Sequence, residues 1–113
     1  MISDLRQWLS EVDKLGELVQ VKELVDPIEE MGAVTYLVAK QTPSPAVVFD
    51  KPSGPNSLEA RLLWNILGPS FRRIALTMEE PPDIGTLELI RRVKDKMQNR
   101  IPPEEVAERD AAV

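Results

Sequence analysis

The sequence predicts an α+β fold, a single small domain in which helices pack on a short mixed sheet of about three strands, in the order α-β-α-β-β-α-α. Two hydrophobic patterns carry this expectation. Apolar residues recur at helical spacing near both ends of the chain, whereas Ala46-Val47-Val48-Phe49 is a short unbroken apolar run, as in a strand buried on both faces. A third observation is punctuation. Pro and Gly clusters around residues 43–45, 52–55, 68–69, 81–85 and 102–103 cut the chain into short elements.

Residues 3–15 read as an amphipathic helix, with Leu5, Trp8, Leu9, Val12 and Leu15 on one stripe. Ser3 or Asp4 can accept from a free backbone N–H as N-cap, and Gly16 suits the left-handed position after the last turn. Residues 18–21 read as a strand of imperfect alternation. Asp26-Pro27-Ile28-Glu29 then opens a second helix to about Lys40, with Asp26 as N-cap, Pro27 as first helical residue and Glu29 reaching back as in a capping box. Its buried face is expected to use Ile28, Met31, Val34, Thr35 and Val38, with Gly32 kept for a close helix–sheet approach. After the 46–49 strand, residues 51–60 read as a surface loop and 61–67 as a third strand containing Trp64. Ser70 caps a short helix through Met78. Thr86 caps the last helix, whose stripe is Leu89, Ile90, Val93 and Met97. Residues 104–113 read as a linker or fraying tail.

Composition excludes several function classes. Hydrophobic residues at 42% and charged residues at 29% are those of a soluble globular domain. The aromatics Trp8, Tyr36, Phe49, Trp64 and Phe71 are too few for stacking platforms on single-stranded nucleic acid. Fourteen Lys and Arg against nineteen Asp and Glu leave a net charge of −5, which disfavours a phosphate-backbone binder. With no cysteine or histidine there is no disulfide framework, zinc finger, Ser-His-Asp triad or Cys-His pair. The longest uncharged run, residues 62–71, is far below the roughly 20 residues of a membrane span. No basic, apolar-cored leader opens the chain, so a cytoplasmic location is expected.

The candidates for chemistry each have a plainer explanation. Glu29 and Glu30 are adjacent carboxylates, but capping accounts for Glu29. Glu79, Glu80 and Asp83 form an acidic loop whose two prolines do not resemble a calcium loop. Gly68-Pro69-Ser70 with Arg72 and Arg73 offers an anion-binding helix start, without the several glycines of a phosphate cradle. The basic stretch from Arg91 to Arg100 is either a docking patch for an acidic partner or ordinary surface complementing the helix dipole. Trp8 and Trp64 fit the core, and Tyr36 has no base near it in sequence.

Read whole, the chain resembles the opening of the UbiD-like, prenylated-FMN-dependent decarboxylases and carboxylases. The resemblance is carried by Asp4-Leu5-Arg6, Leu15-Gly16-Glu17-Leu18-Val19 and Val25-Asp26-Pro27, then Pro45 to Asp50, and Gly54. It continues through Asn65-Ile66-Leu67-Gly68, Arg72-Arg73-Ile74-Ala75 and Ile101-Pro102-Pro103-Glu104-Glu105-Val106. It implies a UbiD-like N-terminal α/β domain at residues 1–103 and the start of a linker or frayed tail at 104–113. In that family the flavin, a divalent metal (Mn or Mg), potassium and the catalytic Glu–Arg–Glu network belong to the domain that follows. The resemblance therefore assigns no catalytic, cofactor-binding or metal residue to this chain, which alone is expected to be inactive. It implies a parent enzyme, a homo-oligomer, that decarboxylates an aromatic, heteroaromatic or α,β-unsaturated acid, the flavin serving as electron sink as CO2 leaves. This chain would be its structural and docking domain, partnered by the flavin-binding catalytic domain or subunit in cis or in trans. The alternative is a stand-alone interaction subunit that binds a separate catalytic subunit. Either reading requires an exposed apolar patch, bordered by residues 51–60 or by the segment after Ile101.

Overall fold

The chain folds around its most apolar strand. In the computed structural model, which describes residues 2–53, 60–107 and 110, the elements are α1 (Leu5–Lys14), β1 (Leu18–Val25), α2 (Glu30–Ala39), β2 (Ala46–Pro52), β3 (Leu62–Trp64), α3 (Phe71–Thr77) and α4 (Thr86–Gln98). The expected α+β class and element order are found. Strand β2 is central, parallel to β1 and antiparallel to β3, so the sheet is mixed in the order β1-β2-β3. The parallel pair requires a crossover, and α2 supplies it.

Alternation along β2 divides the core in two. Val47 and Phe49 join Val25 and Met31, with Val21, Val34, Val38 and Leu62 packed around them, on the α2 side. Ala46 joins Trp8 and Val12, with Leu9, Leu18, Leu63 and Leu76, on the side of α1 and α3. Ala46, Val47, Val48 and Phe49 are all buried, as a strand covered on both faces must be.

The capping chemistry mostly follows the sequence. Asp4 accepts from the Gln7 N–H at 2.8 Å, making Asp4 rather than Ser3 the cap of α1. Gly16 takes φ +71 after the helix, and Ser70 caps α3 through the Arg73 N–H. Helix α2 differs. Asp26 Oδ1 accepts from the Ile28 N–H, and its carbonyl accepts from the Met31 N–H, so residues 27–29 form a wide turn. The helix then begins at Glu30, one turn later than expected. Glu30, not Glu29, reaches back to the Asp26 N–H at 2.8 Å. Ile28 is left 80% exposed instead of joining the core.

Other boundaries shift for identifiable reasons. Strand β1 runs on to Val25 because a register irregularity between Val21 and Leu24 absorbs Lys22 and Glu23 on an edge strand. Lys51 and Pro52 belong to β2 rather than to a loop, and residues 54–59 of the expected loop lie outside the described residues. Strand β3 stops at Trp64 because Asn65 turns to φ +54. Trp64 shares the face of Leu62 but lies on an edge strand, and it is 39% exposed rather than buried. Leu5, expected on the packed stripe of α1, is also exposed. Gly85, not Thr86, occupies the cap of α4, without a side-chain cap bond. A Cβ at Gly32 would meet nothing within 4 Å, so close helix–sheet contact does not explain that glycine.

Candidate functional site

The densest polar arrangement is a buried node joining the α1–β1 turn, the α2–β2 loop and the start of α3. Arg73 is fully buried, and its Nη1 lies 3.0 Å from Glu17 Oε2, whose side chain is 3% exposed. The same guanidinium donates to the carbonyls of Ser44 (2.5 Å), Ile66 (2.8 Å), Asn65 (3.3 Å) and Leu67 (2.8 Å). Ser70 Oγ donates to Glu17 Oε2, and Arg72, half exposed, lies 3.4 Å from Glu17 Oε1. Burial pulls the Arg73 pKa below its ordinary value, and the adjacent Glu17 carboxylate opposes that pull.

The segment Asn65-Ile66-Leu67-Gly68 builds the carbonyl side of this node. Asn65 (φ +54) and Gly68 (φ +51) both adopt the left-handed conformation, curling the intervening carbonyls onto Arg73. Asn65 Nδ2 donates to Ser44 Oγ and to the Pro45 carbonyl, tying the curl to the entry of β2. A Cβ at Gly68 would sit 2.7 Å from Asn65 Oδ1 and 2.8 Å from Arg73 Nη2, so glycine is needed for space as well as for φ. Arg73 is thus occupied by protein acceptors and is not an anion-binding residue. Glu17 carried no special signal beyond its polarity. Arg73 did carry one, since it lies three residues before Leu76, which packs on the core, and a buried arginine requires a carboxylate.

A second feature is an open apolar cleft of about 680 Å3 between α3 and α4. Phe71 and Ile74 form one wall. Leu89, Ile90, Val93 and Met97 form the other, with Lys94 and Arg100 at the lip. Leu89 is buried, whereas Ile90 is 56% and Met97 70% exposed. The amphipathic stripe predicted for α4 therefore exists, but the chain covers only part of it. The acidic loop braces the cleft. Glu80 accepts from Arg92 at 2.8 Å and Lys96 at 2.7 Å, and these hydrogen bonds hold its carboxyl below the usual carboxylate range. Lys96 also donates to the Met78 carbonyl. Among the described residues no group of three or more acidic, His or Cys side chains converges as metal ligands.

The remaining candidates are dispersed. Glu29 is exposed and Glu30 serves the turn before α2. Tyr36 is exposed, with Lys40 Nζ 4.0 Å from its ring centroid. Trp8 is buried and donates from Nε1 to Thr77 Oγ1 at 2.9 Å. Arg73, enclosed by backbone carbonyls, and Glu80, held by two cations, are not free to hold a flavin phosphate or a catalytic metal. Among the described residues no helix is long and apolar enough to cross a membrane.

A small mixed-sheet α+β domain, braced by one buried ion pair and leaving an apolar helical face open, is the class these features define. Residues 9–93 match the family described as the 3-octaprenyl-4-hydroxybenzoate carboxy-lyase N-terminal domain, and the chain belongs to that UbiD N-terminal family. A protein of Aquifex aeolicus, described as uncharacterized, is 36% identical over 84 residues, 73% of this chain and 17% of its own length. One of Archaeoglobus fulgidus is 32% identical over 83 residues, 73% of this chain and 16% of its own length. Among solved structures, the vanillic acid decarboxylase of Sedimentibacter hydroxybenzoicus in its closed form superposes with a TM-score of 0.75 at 25% identity, over 98% of this chain and 23% of that one. Its open form with a truncated second component gives 0.72 at 26% identity, over 85% and 20%. The chain thus spans about a fifth of the length of the relatives it matches.

Proposed function

We propose that this chain is the structural and docking domain of a UbiD-like, prenylated-FMN-dependent decarboxylase, working beside a flavin-binding catalytic domain or subunit in the cytoplasm. Residues 1–103 form the domain, and 104–113 begin the connection beyond it. The parent enzyme, a homo-oligomer, releases CO2 from an aromatic, heteroaromatic or α,β-unsaturated acid, and a proton takes the place of the departing carboxyl. Prenylated FMN, with a divalent metal (Mn or Mg) and potassium, supplies the electron sink in the partner. Catalytic, cofactor and metal residues lie outside this chain, which has no decarboxylase activity alone.

Unburied apolar surface carries this reading. Phe71, Ile90 and Met97 are 55%, 56% and 70% exposed on the two helices that wall the α3–α4 cleft. Ile101 and Val106, in the exposed segment 99–107, add further apolar surface. Apolar faces of this kind in a small domain mark a partner's footprint. The family membership supplies the partner's class, since the matched relatives are more than four times as long.

Reconstitution tests the reading. The flavin-binding polypeptide from the same cells is assayed for CO2 release from vanillate and related unsaturated acids, with and without residues 1–113. Activity or stability that depends on this chain is expected. A flavin polypeptide stripped of any such domain of its own that neither binds the chain nor changes with it would rule the proposal out.

A further inference from the structure

Resting on the docking reading above, we infer that the α3–α4 cleft receives an acidic amphipathic helix of the flavin-binding partner, with apolar anchors in the groove and carboxylates at its lip. The shape of the site comes first. Ile90, Val93 and Met97 stand at i, i+3 and i+7 on α4, opposite Phe71 and Ile74 of α3. Two helices thus make a long apolar trough open to solvent, the geometry that accepts a third helix through anchors at the same spacing.

Charge then selects the occupant. The chain as a whole carries −5, yet the lip of this cleft is cationic. The other cations of α4 are engaged: Arg91 lies 3.9 Å from Glu88, Arg92 pairs with Glu88 and Glu80, and Lys96 pairs with Glu80. Lys94 and Arg100 line the cleft and pair with no described residue. Of the basic stretch, these two are the ones aimed at a partner. A second copy docked isologously would bring two cationic lips into one interface, a gathering of like charge that opposes association. Carboxylates flanking an apolar stripe satisfy both the trough and its lip.

Two experiments test this. The intact chain is titrated with a synthetic amphipathic helix bearing Leu at i, i+3, i+4 and i+7 flanked by Glu, and with the same peptide bearing Lys instead. The Glu peptide is expected to bind at least about tenfold more tightly, with the advantage lost in K94E/R100E and reduced by salt. Both substituted side chains are exposed, and an unchanged melting temperature confirms that the variant folds. Equal binding of the two peptides, or no binding of either, overturns the inference. A photo-crosslinking residue in place of Ile90, used in the source cells, identifies the natural occupant. The expected product joins Ile90 to an acidic amphipathic segment of the flavin-binding polypeptide. A product with a basic or neutral segment of that polypeptide overturns the inference and leaves the docking reading standing. A product with a second copy overturns the inference. Absence of the flavin polypeptide from the products, together with failed reconstitution, overturns both.

Discussion

Replacing Glu17 with Ala should remove much of the domain's stability without touching a large apolar side chain. Arg73 is fully buried, and among the described residues Glu17 is its only carboxylate at hydrogen-bond distance, at 3.0 Å. Truncation leaves a buried guanidinium without its counter-charge, and breaking such a pair from one side costs about 3–5 kcal/mol. Stability of roughly 0.05–0.15 kcal/mol per residue gives about 6–17 kcal/mol for 113 residues, so the loss is a large fraction. An unfolding entropy of roughly 2.1 cal/mol/K per residue is about 240 cal/mol/K for 113 residues, which turns that loss into a fall in Tm of about 13–21 °C. Arg73→Met should be at least as damaging, because it takes the buried cation from Glu17, leaving it Ser70 and the half-exposed Arg72, and strands the carbonyls of Ser44, Asn65, Ile66 and Leu67. The double variant should lose less than the sum of the singles, since each removes the same pair, yet it should not regain wild-type stability because the carbonyls remain unpaired. Thermal and urea denaturation followed by circular dichroism measure all three. A Tm fall below about 5 °C for Glu17→Ala would refute the reasoning, because the node would then be exposed enough for water to replace the carboxylate.

Two glycines should respond in opposite directions. Gly68→Ala forces a left-handed alanine, worth about 1–2 kcal/mol by itself, and drives its Cβ to within 2.7 Å of Asn65, so urea unfolding should show a loss above that range. Gly32→Ala meets open space inside α2 and should raise stability by about 0.8–1 kcal/mol; a loss in the isolated chain would mean an unseen clash. The Glu80 carboxyl is held below its unfolded value, so its contribution is present above the unfolded pKa and is lost as pH falls through the lower folded value. Stability measured from neutral pH into acid should therefore decline more gently in Glu80→Gln than in wild type, and identical profiles would remove Glu80 as the brace of α4.

The elements that the sequence made readable are those fixed by local chemistry. The apolar run 46–49 reads as a covered strand and is one, and the caps Asp4, Gly16 and Ser70 follow from donor satisfaction and φ. What failed depended on partners that residue identity does not name. Asp26 and Pro27 have the right identities for a helix start, yet the bond from Met31 N–H to the Asp26 carbonyl widened the turn and turned Ile28 outward. Trp64 is apolar enough for a core, but its burial depends on strand order, and β3 lies at the edge. Glu17 and Arg73 stand 56 residues apart, so no spacing rule joins them. Gly68-Pro69-Ser70-Phe71-Arg72-Arg73 looked like an anion site because the acceptors that occupy Arg73, including the Ser44 carbonyl and Glu17, come from other parts of the chain. The stripe of α4 was visible, but not that Arg92 and Lys96 would be claimed by Glu80, leaving Lys94 and Arg100 at the cleft.

Isolation of this chain with whatever accompanies it in its own cells, followed by mass and absorbance measurement on the same sample, tests the docking role most directly. The prediction is an assembly several times heavier than 12.7 kDa with a flavin-type absorbance, whether the flavin domain is joined to this chain or bound to it. A species of 12.7 kDa, alone and without a chromophore, would contradict it.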